Sequence, residues 1–518
     1  MKQNMSEGLL EVAEIEESLN PKFHYYKKSL KSCKRDLALY MIVERKKMIS
    51  SSSSPSDHKF VCKFVCIIIY SVFLFSISIN VQAFDSLLHR SSQFWGFNNF
   101  FESRIVLNVK DYGAVGDGIK DDTKVFADVW DIACSSEVES TIIIPAECNC
   151  LVGPISFGGP CNSNVTLMIY GSIVAPSDPD VWNGNNTQKW LYFHNVDHLK
   201  VDGGGIIDGM GQEWWASSCK RDPTNPCRHA PTAISFHRCN DLTVRNLMIV
   251  NGQQMQMAFT TCDGVTASRL TVFAPAGSPN TDGIHISAST NVKLKDTTVR
   301  TGDDCISIVS NSSKVQVRNI FCGPGHGISI GSLGESGTCD QVYDISVYGA
   351  FLSNTDNGLR IKTWQGGSGF VNNVKFENIW MENVSNPIII DQYYCDKHKA
   401  CPNKTCAVNV NNISFVNVKG TSVTKEAIIF ACSDVSPCEG LYLEDIELVS
   451  PSGGITTSYC WEANVTTSSI VYPPTCVSPC RNFIDQIIAS TFIFKPLIQC
   501  FSRLHQLAHY AVRHVLLH

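Results

Sequence analysis

The feature that most limits what this chain can fold into is a rhythm. Short runs rich in β-branched residues recur between Asn, Asp and Gly, at 141–144, 165–169, 199–201, 242–244, 292–294, 315–317, 345–347, 374–376, 413–415 and 441–443. Successive runs begin about 22 to 30 residues apart, and further where loops intrude. Many share the form apolar-x-apolar-x-Asn/Asp. A period of that length with strand-forming content marks a solenoid, because one coil cannot bury its apolar face alone and must stack on its neighbours. The expectation is an all-β chain wound as a parallel β-helix. Asn246, Asn319, Asn378 and Asn417, at repeated turns, are expected to stack and to bond backbone groups inside the coil. A β-sandwich is the competing fold, but it calls for closer hairpin spacing and Asn-Gly turns, which are scarce.

The first run is preceded by a different pattern. The folded part is expected to open near Val106. Asp121, Asp122 and Thr123 then stand before apolar residues at helical spacing, Val125, Phe126, Val129, Trp130 and Ala133. Asp122 or Thr123 can cap such a helix, and the helix would cover the open end of the solenoid and hide its edge. The paired Asp121 and Asp122 read as a turn plus a helix cap.

Length and composition bound the rest. A chain of 518 residues can bury a large core, and a net charge of −6 offers no basic excess for nucleic acid. Of the 23 cysteines, Cys219/Cys227, Cys322/Cys339 and Cys432/Cys438 are spaced as small disulfide loops, and the spacing is poor for zinc. Asn164, Asn185, Asn311, Asn383, Asn403, Asn412 and Asn464 head glycosylation sequons, which accord with export. Residues 59–83 combine a charged start, an apolar run and small residues around Gln82, as in a cleaved signal peptide. The run is about one helical turn short of a comfortable membrane span, so no stable membrane association is expected. Residues 1–58 carry an acidic patch, a basic patch and a serine run without a core-forming face. They are expected to be an unstructured extension and a gene-model artefact, with translation starting at Met41 or Met48. A peptide of the unprocessed protein spanning 11–17 would refute that. Residues 84–104 read as a linker, 105–480 as the solenoid domain, and 481–518 as a poorly anchored tail.

Four polar clusters interrupt the solenoid pattern: Asn280-Thr281-Asp282, Gly302-Asp303-Asp304, Gly325-His326-Gly327 and Arg360-Ile361-Lys362. Asp282 to Asp304 is 22 residues, and Asp304 to His326 is 22 again. Equal steps put the same slot of successive coils in register, about 4.8 Å apart. Three carboxylates and an imidazole can then share one patch. Hydrolysis of a glycosidic bond needs one carboxylic acid for the leaving oxygen and one carboxylate to activate water or to attack, and crowding like charges keeps one acid protonated. On a strand Asp303 and Asp304 would point to opposite faces, so both can serve only if Gly302 kinks the chain. The plainer alternatives are a calcium site or polar turns. His326, in register with Asp304, could hold a carboxylate's protonation. His285 is expected to be structural or to serve an outer subsite. Arg360 and Lys362 share a strand face, as an ion-pair network or a grip on an acidic substrate. Trp364 and Tyr393 offer sugar-stacking or core surfaces. Trp214 and Trp215 read as an aromatic pair at a loop rim.

Taken in order, the four clusters resemble the signature motifs of the polygalacturonases, the pectin-cleaving glycoside hydrolases, and residues 111–118 resemble the opening of plant members. The resemblance spans about residues 106–476. It implies a right-handed parallel β-helix and inverting hydrolysis of α-1,4-linked galacturonate, with no cofactor or metal. It casts Asp303 as general acid, Asp282 and Asp304 as the groups that activate water, and His326 as the residue tuning the acid. Arg360, Lys362 and Asn280 would bind substrate. With the leader and the sequons, the expectation is a secreted monomer acting on cell-wall homogalacturonan, endo rather than exo, with loop lengths at the cleft ends deciding that last choice. One tension stands: stacked carboxylates about 5 Å apart ordinarily signal retention, whereas the resemblance implies inversion, which splayed side chains and a third carboxylate would allow. The rivals are an exo-acting or rhamnogalacturonan-specific hydrolase, a calcium-dependent lyase, and a non-catalytic wall-binding solenoid. The last predicts broken acid positions, and all three aspartates are present.

Overall fold

The computed structural model describes residues 104–182, 188–396 and 401–475. The expected extension 1–58, signal peptide 59–83, nearly all of the linker 84–104 and the tail 481–518 lie outside the described residues.

The described residues form a right-handed parallel β-helix. One sheet has 11 strands and a second has 19. The ladders between strands run parallel, which disposes of the sandwich alternative. The strands of the smaller sheet are numbered here in chain order: β1 Ile155–Gly158, β2 Lys189–His194, β3 Thr232–His237, β4 Met257–Thr260, β5 Ile284–Ser287, β6 Ile306–Ile308, β7 Ile328–Leu333, β8 Asn357–Thr363, β9 Asn386–Asp391, β10 Glu426–Ala431 and β11 Thr457–Trp461.

Alternation decides which way each side chain points. In β5 to β8, Ile284, Ile286, Ile306, Ile308, Ile328, Ile330, Leu359 and Ile361 face inward and are buried. Register stacks Ile284 on Ile306 on Ile328 on Leu359. Each such side chain contributes roughly 1.5–3 kcal/mol relative to exposure. Toward the N-terminal end the inward column becomes Phe157, Phe193, Phe236 and Phe259, with ring centroids 4.6, 5.2 and 5.6 Å apart. The alternate residues form the outer face. There His285, Ser307, Ser329 and Arg360 stand in one column across β5 to β8.

The leading helix, α1 (Thr123–Ser135), buries Phe126, Val129, Trp130 and Ala133, and sets Trp130 against Phe157 and Phe193 at the start of the aromatic column. Its start differs from expectation. Asp122 occupies the cap position but turns its buried carboxylate back onto the N–H groups of Val115 and Gly116, at 2.7 and 2.9 Å. The capping bond to Thr123 N comes instead from Asp121, at 2.9 Å. The turn asparagines also differ. Asn246, Asn319, Asn378 and Asn417 all have positive φ, a conformation asparagine tolerates. They lie outside the coil and bond side chains of the adjacent rung, as when Asn417 donates to Asn378 at 2.6 Å and Asn319 to Asp296 at 2.9 Å. Disulfides Cys219–Cys227 and Cys432–Cys438 form as expected, but Cys322 pairs with Cys305 and not with Cys339, which is free.

Candidate active site

Asp282, Asp303 and Asp304 sit in the turns that enter β5 and β6, and His326 sits in the turn that enters β7. Backbone bonds lock these turns one above another. Gly283 N donates to Asp304 O, His326 N to Asp303 O and Cys305 N to Gly327 O, each at 2.8 Å. Thr281 adds a side-chain brace, its hydroxyl accepting from Gly302 N at 3.0 Å. Close approach requires two of the glycines: a Cβ on Gly302 would lie 2.0 Å from Ser278 O, and one on Gly327 (φ +89°) 2.1 Å from Asn357 O. The Cys305–Cys322 disulfide tethers the residue next to Asp304. Because Asp303 and Asp304 precede β6 and are not part of it, strand alternation does not apply, and both reach one site.

Each acid has its own surroundings. Asp303 Oδ1 lies 2.9 Å from His326 Nδ1. His326 Nε2 is 3.4 Å from Asp356 Oδ2. Asp304, with only 2% of its side chain exposed, is the counter-ion of two cations: Arg360 Nη2 at 2.7 Å and Lys362 Nζ at 2.9 Å. Ser329 Oγ donates to it at 2.7 Å and accepts from Arg360 Nε at 3.0 Å. Asp282 Oδ2 accepts from Ser307 Oγ at 2.9 Å, and Ser307 lies 2.8 Å from His285 Nδ1. Since Ser307 gives its one proton to Asp282, His285 must donate to Ser307.

Burial sets the protonation states first. It pushes Asp282 well above the usual carboxylate range, helped by the charges of Asp303 and Asp304. Burial also acts to raise Asp303, but the hydrogen bond and charge of His326 outweigh it and hold Asp303 below the usual value. His326 is raised in turn, mainly by its bond to Asp303. Burial keeps His285 neutral, with a pKa of about 4. The resting site therefore favours one proton on Asp282 and one held between Asp303 and His326 on the imidazole side.

Asp303, Asp304 and His326 offer ligand atoms within 4.8 Å of one another, the arrangement a cation would need. Asp304 already accepts from Ser329 and Arg360 on Oδ1 and from Lys362 on Oδ2. Two positive groups beside them oppose a third.

Other sequence candidates fall differently. Asn280 has φ +54° and lines a small cleft with Trp214, Arg228 and Gln253. Trp214 and Trp215 are not a rim pair: both are buried, on a short helix. Tyr393 points away from the site, its hydroxyl 2.8 Å from Asp434. The aromatic that meets Lys362 is Tyr394, which no repeat spacing marks in the sequence. Lys362 Nζ lies 5.3 Å from its ring centroid, and Trp364 packs against it edge-on. Ser307 and Ser329 were also missed, although they too are 22 residues apart.

A family model described as glycosyl hydrolases family 28 matches residues 134–469. The chain belongs to that family. It is 54% identical over 419 residues to a probable polygalacturonase of Arabidopsis thaliana, covering 80% of this chain and 94% of that protein. It is 49% identical to a polygalacturonase of Persea americana, covering 68% and 76%. Of solved structures, an endo-xylogalacturonan hydrolase of Aspergillus tubingensis aligns with a TM-score of 0.61 at 26% identity, over 71% of this chain and 99% of that one. An exopolygalacturonase of Thermotoga maritima has the same fold, with a TM-score of 0.59 at 18% identity, over 71% and 91%.

Proposed function

We propose that this family 28 chain hydrolyses α-1,4-galacturonosidic bonds of pectin with inversion, as a secreted, endo-acting enzyme of the cell wall. The observation that carries the reading is the stack itself. Asp282, the Asp303-Asp304 pair and His326 occupy one slot on three successive rungs, and Arg360 and Lys362 follow on the next.

Asp303 is the general acid. Its carboxyl is a fifth exposed and touches a proton donor, His326, that can refill it. As the glycosidic oxygen gains negative character, the proton of the Asp303–His326 pair passes through Asp303 to that oxygen, and the C1–O bond breaks. Asp282 accepts the proton of the attacking water once it has shed its own, and Ser307 orients it as an acceptor. Asp304 shares the water and anchors Arg360 and Lys362. The remaining N–H groups of that pair meet the substrate carboxylate, helped by Asn280.

The endo reading draws support from position. The rung of Asp304, β6, is the middle one of the 11, with five strands to either side for a polymer to lie across. Export draws support from the disulfides and from exposed sequon residues Asn383, Asn403, Asn412 and Asn464.

Polygalacturonate assayed with and without chelator tests the reading. Chelator-insensitive release of reducing ends, with viscosity falling early, is expected. Ultraviolet-absorbing unsaturated ends lost on chelation would make it a lyase, and reducing ends without early viscosity loss would make it exo-acting.

A further inference from the structure

The outer face that carries the acids does not end at the cations. Register carries Lys362 onto Asp391, Ala431 and Trp461, and Arg360 onto Ile389, Ile429 and Tyr459. At the last rung two rings lie open, Trp461 48% and Tyr459 47% exposed. Single exposed aromatics are ordinary on any surface, but Trp461 is held in place. Its Nε1 donates to Asp434 Oδ1 at 2.8 Å, and Tyr393 Oη donates to Asp434 Oδ2 at 2.8 Å. Tyr393 is itself fixed from both sides: its hydroxyl accepts from Asp434 N at 3.1 Å, and its backbone N–H donates to Asp391 at 2.9 Å. One carboxylate thus takes the polar edges of two rings. The indole is left half-exposed, its polar edge fixed before any ligand arrives. A rigid aromatic face with a satisfied N–H suits the C–H-rich face of a pyranose ring.

Distance says which ring. At about 4.8 Å per rung, Trp461 lies about 14 Å past Lys362 and about 24 Å past the rung of Asp304. Only a chain of several sugar units that already occupies the acids can reach it.

We infer that Trp461, oriented by Asp434 and Tyr393, is a distal subsite that stacks one sugar ring of a long polygalacturonate chain, several units from the bond being cut. The inference rests on the proposed pectin activity and adds to it a length-dependent grip at the C-terminal end of the cleft.

The test is a KM ratio. In Trp461→Ala, KM for a ten-unit oligogalacturonate rises roughly tenfold, the scale of one lost aromatic contact, while KM for the trimer moves less than about twofold. Trp461→Phe, which keeps a ring, recovers most of the loss. Asp434→Ala, which frees the indole but leaves it present, raises the same ratio by a smaller amount. Equal effects on both substrates, or none on the longer one, overturn the subsite. If Trp461→Ala does not melt cooperatively, the ratio in Asp434→Ala decides alone. If the parent cuts no polygalacturonate, the activity reading has failed. Tryptophan-fluorescence titration of parent and Trp461→Phe with the ten-unit oligomer then still judges the subsite: a quench present only in the parent supports it, and identical curves refute it.

Discussion

Asp282 and Asp304 are the same residue in the same slot of adjacent rungs, and each accepts a hydrogen bond from a serine 25 residues further along. Behind the serines the likeness stops. Ser307 is backed by His285, which burial keeps uncharged, whereas Ser329 is backed by Arg360, with Lys362 on the other carboxylate oxygen. One acid has no cation in contact among the described residues and is pushed toward its neutral form, and the other is an ion-paired anchor. The repeat fixes where a carboxyl stands, and the neighbours on the next rung decide what it can do.

Neutralising each acid in turn breaks the comparison most sharply. Asp282→Asn is expected to lower kcat on polygalacturonate by about 10²–10⁴-fold, the usual share of a general base, with a near-parental melt. Asp304→Asn should instead fail in both assays, because it strands two buried cations. Losing one partner of a buried pair costs roughly 3–5 kcal/mol, readable as a lowered melting temperature. If the two variants behave alike, the division of labour is wrong.

The serines sharpen it further. Ser307→Ala removes a donor to Asp282, so the ionised form becomes harder to reach. The acid limb of the pH–rate profile should move to higher pH, and Ser307→Thr, which keeps the hydroxyl, should restore it. Ser329→Ala leaves Asp304 its two cations, so that limb should stay in place. A common shift in both variants would mean the serines act alike after all.

The smallest expected change concerns the other limb. Asp282 must lose a proton before it can accept one, and its pKa is raised, so activity should rise only above the ordinary carboxylate range. The Asp303–His326 pair must keep its proton, and His326 is raised, so activity should fall only above the ordinary imidazole value. The two values belong to a coupled cluster and not to single residues. His326→Ala leaves Asp303 to hold the proton alone, and the alkaline limb should move to lower pH. An unmoved limb would remove His326 from the proton path.

Much of this site was legible before the fold. Two equal steps of 22 residues put Asp282, Asp304 and His326 in one column, and that holds because coils without insertions keep register. Inward and outward faces followed from alternation. What alternation misjudged lay just outside the strands. Asp303 and Asp304 both reach the site because they occupy a turn, and turn dihedrals have no period of two. The Cys305–Cys322 pairing was hidden because it depends on how a coil closes on itself and not on linear spacing. Asp122 was read as a helix cap from its neighbours in sequence, but its partners, Val115 and Gly116, come from the preceding turn. Tyr394 and Tyr393 are adjacent in sequence, and only the path of the loop after β9 tells which one meets Lys362.

The account depends most on acids from successive rungs acting across one bond on a single water. Proton NMR of polygalacturonate in the first minutes of cleavage reads this directly through the new reducing ends. They should appear first as the β anomer and then drift toward the equilibrium mixture. If the α anomer appears first, the water mechanism is wrong, and one of these carboxylates attacks the sugar itself.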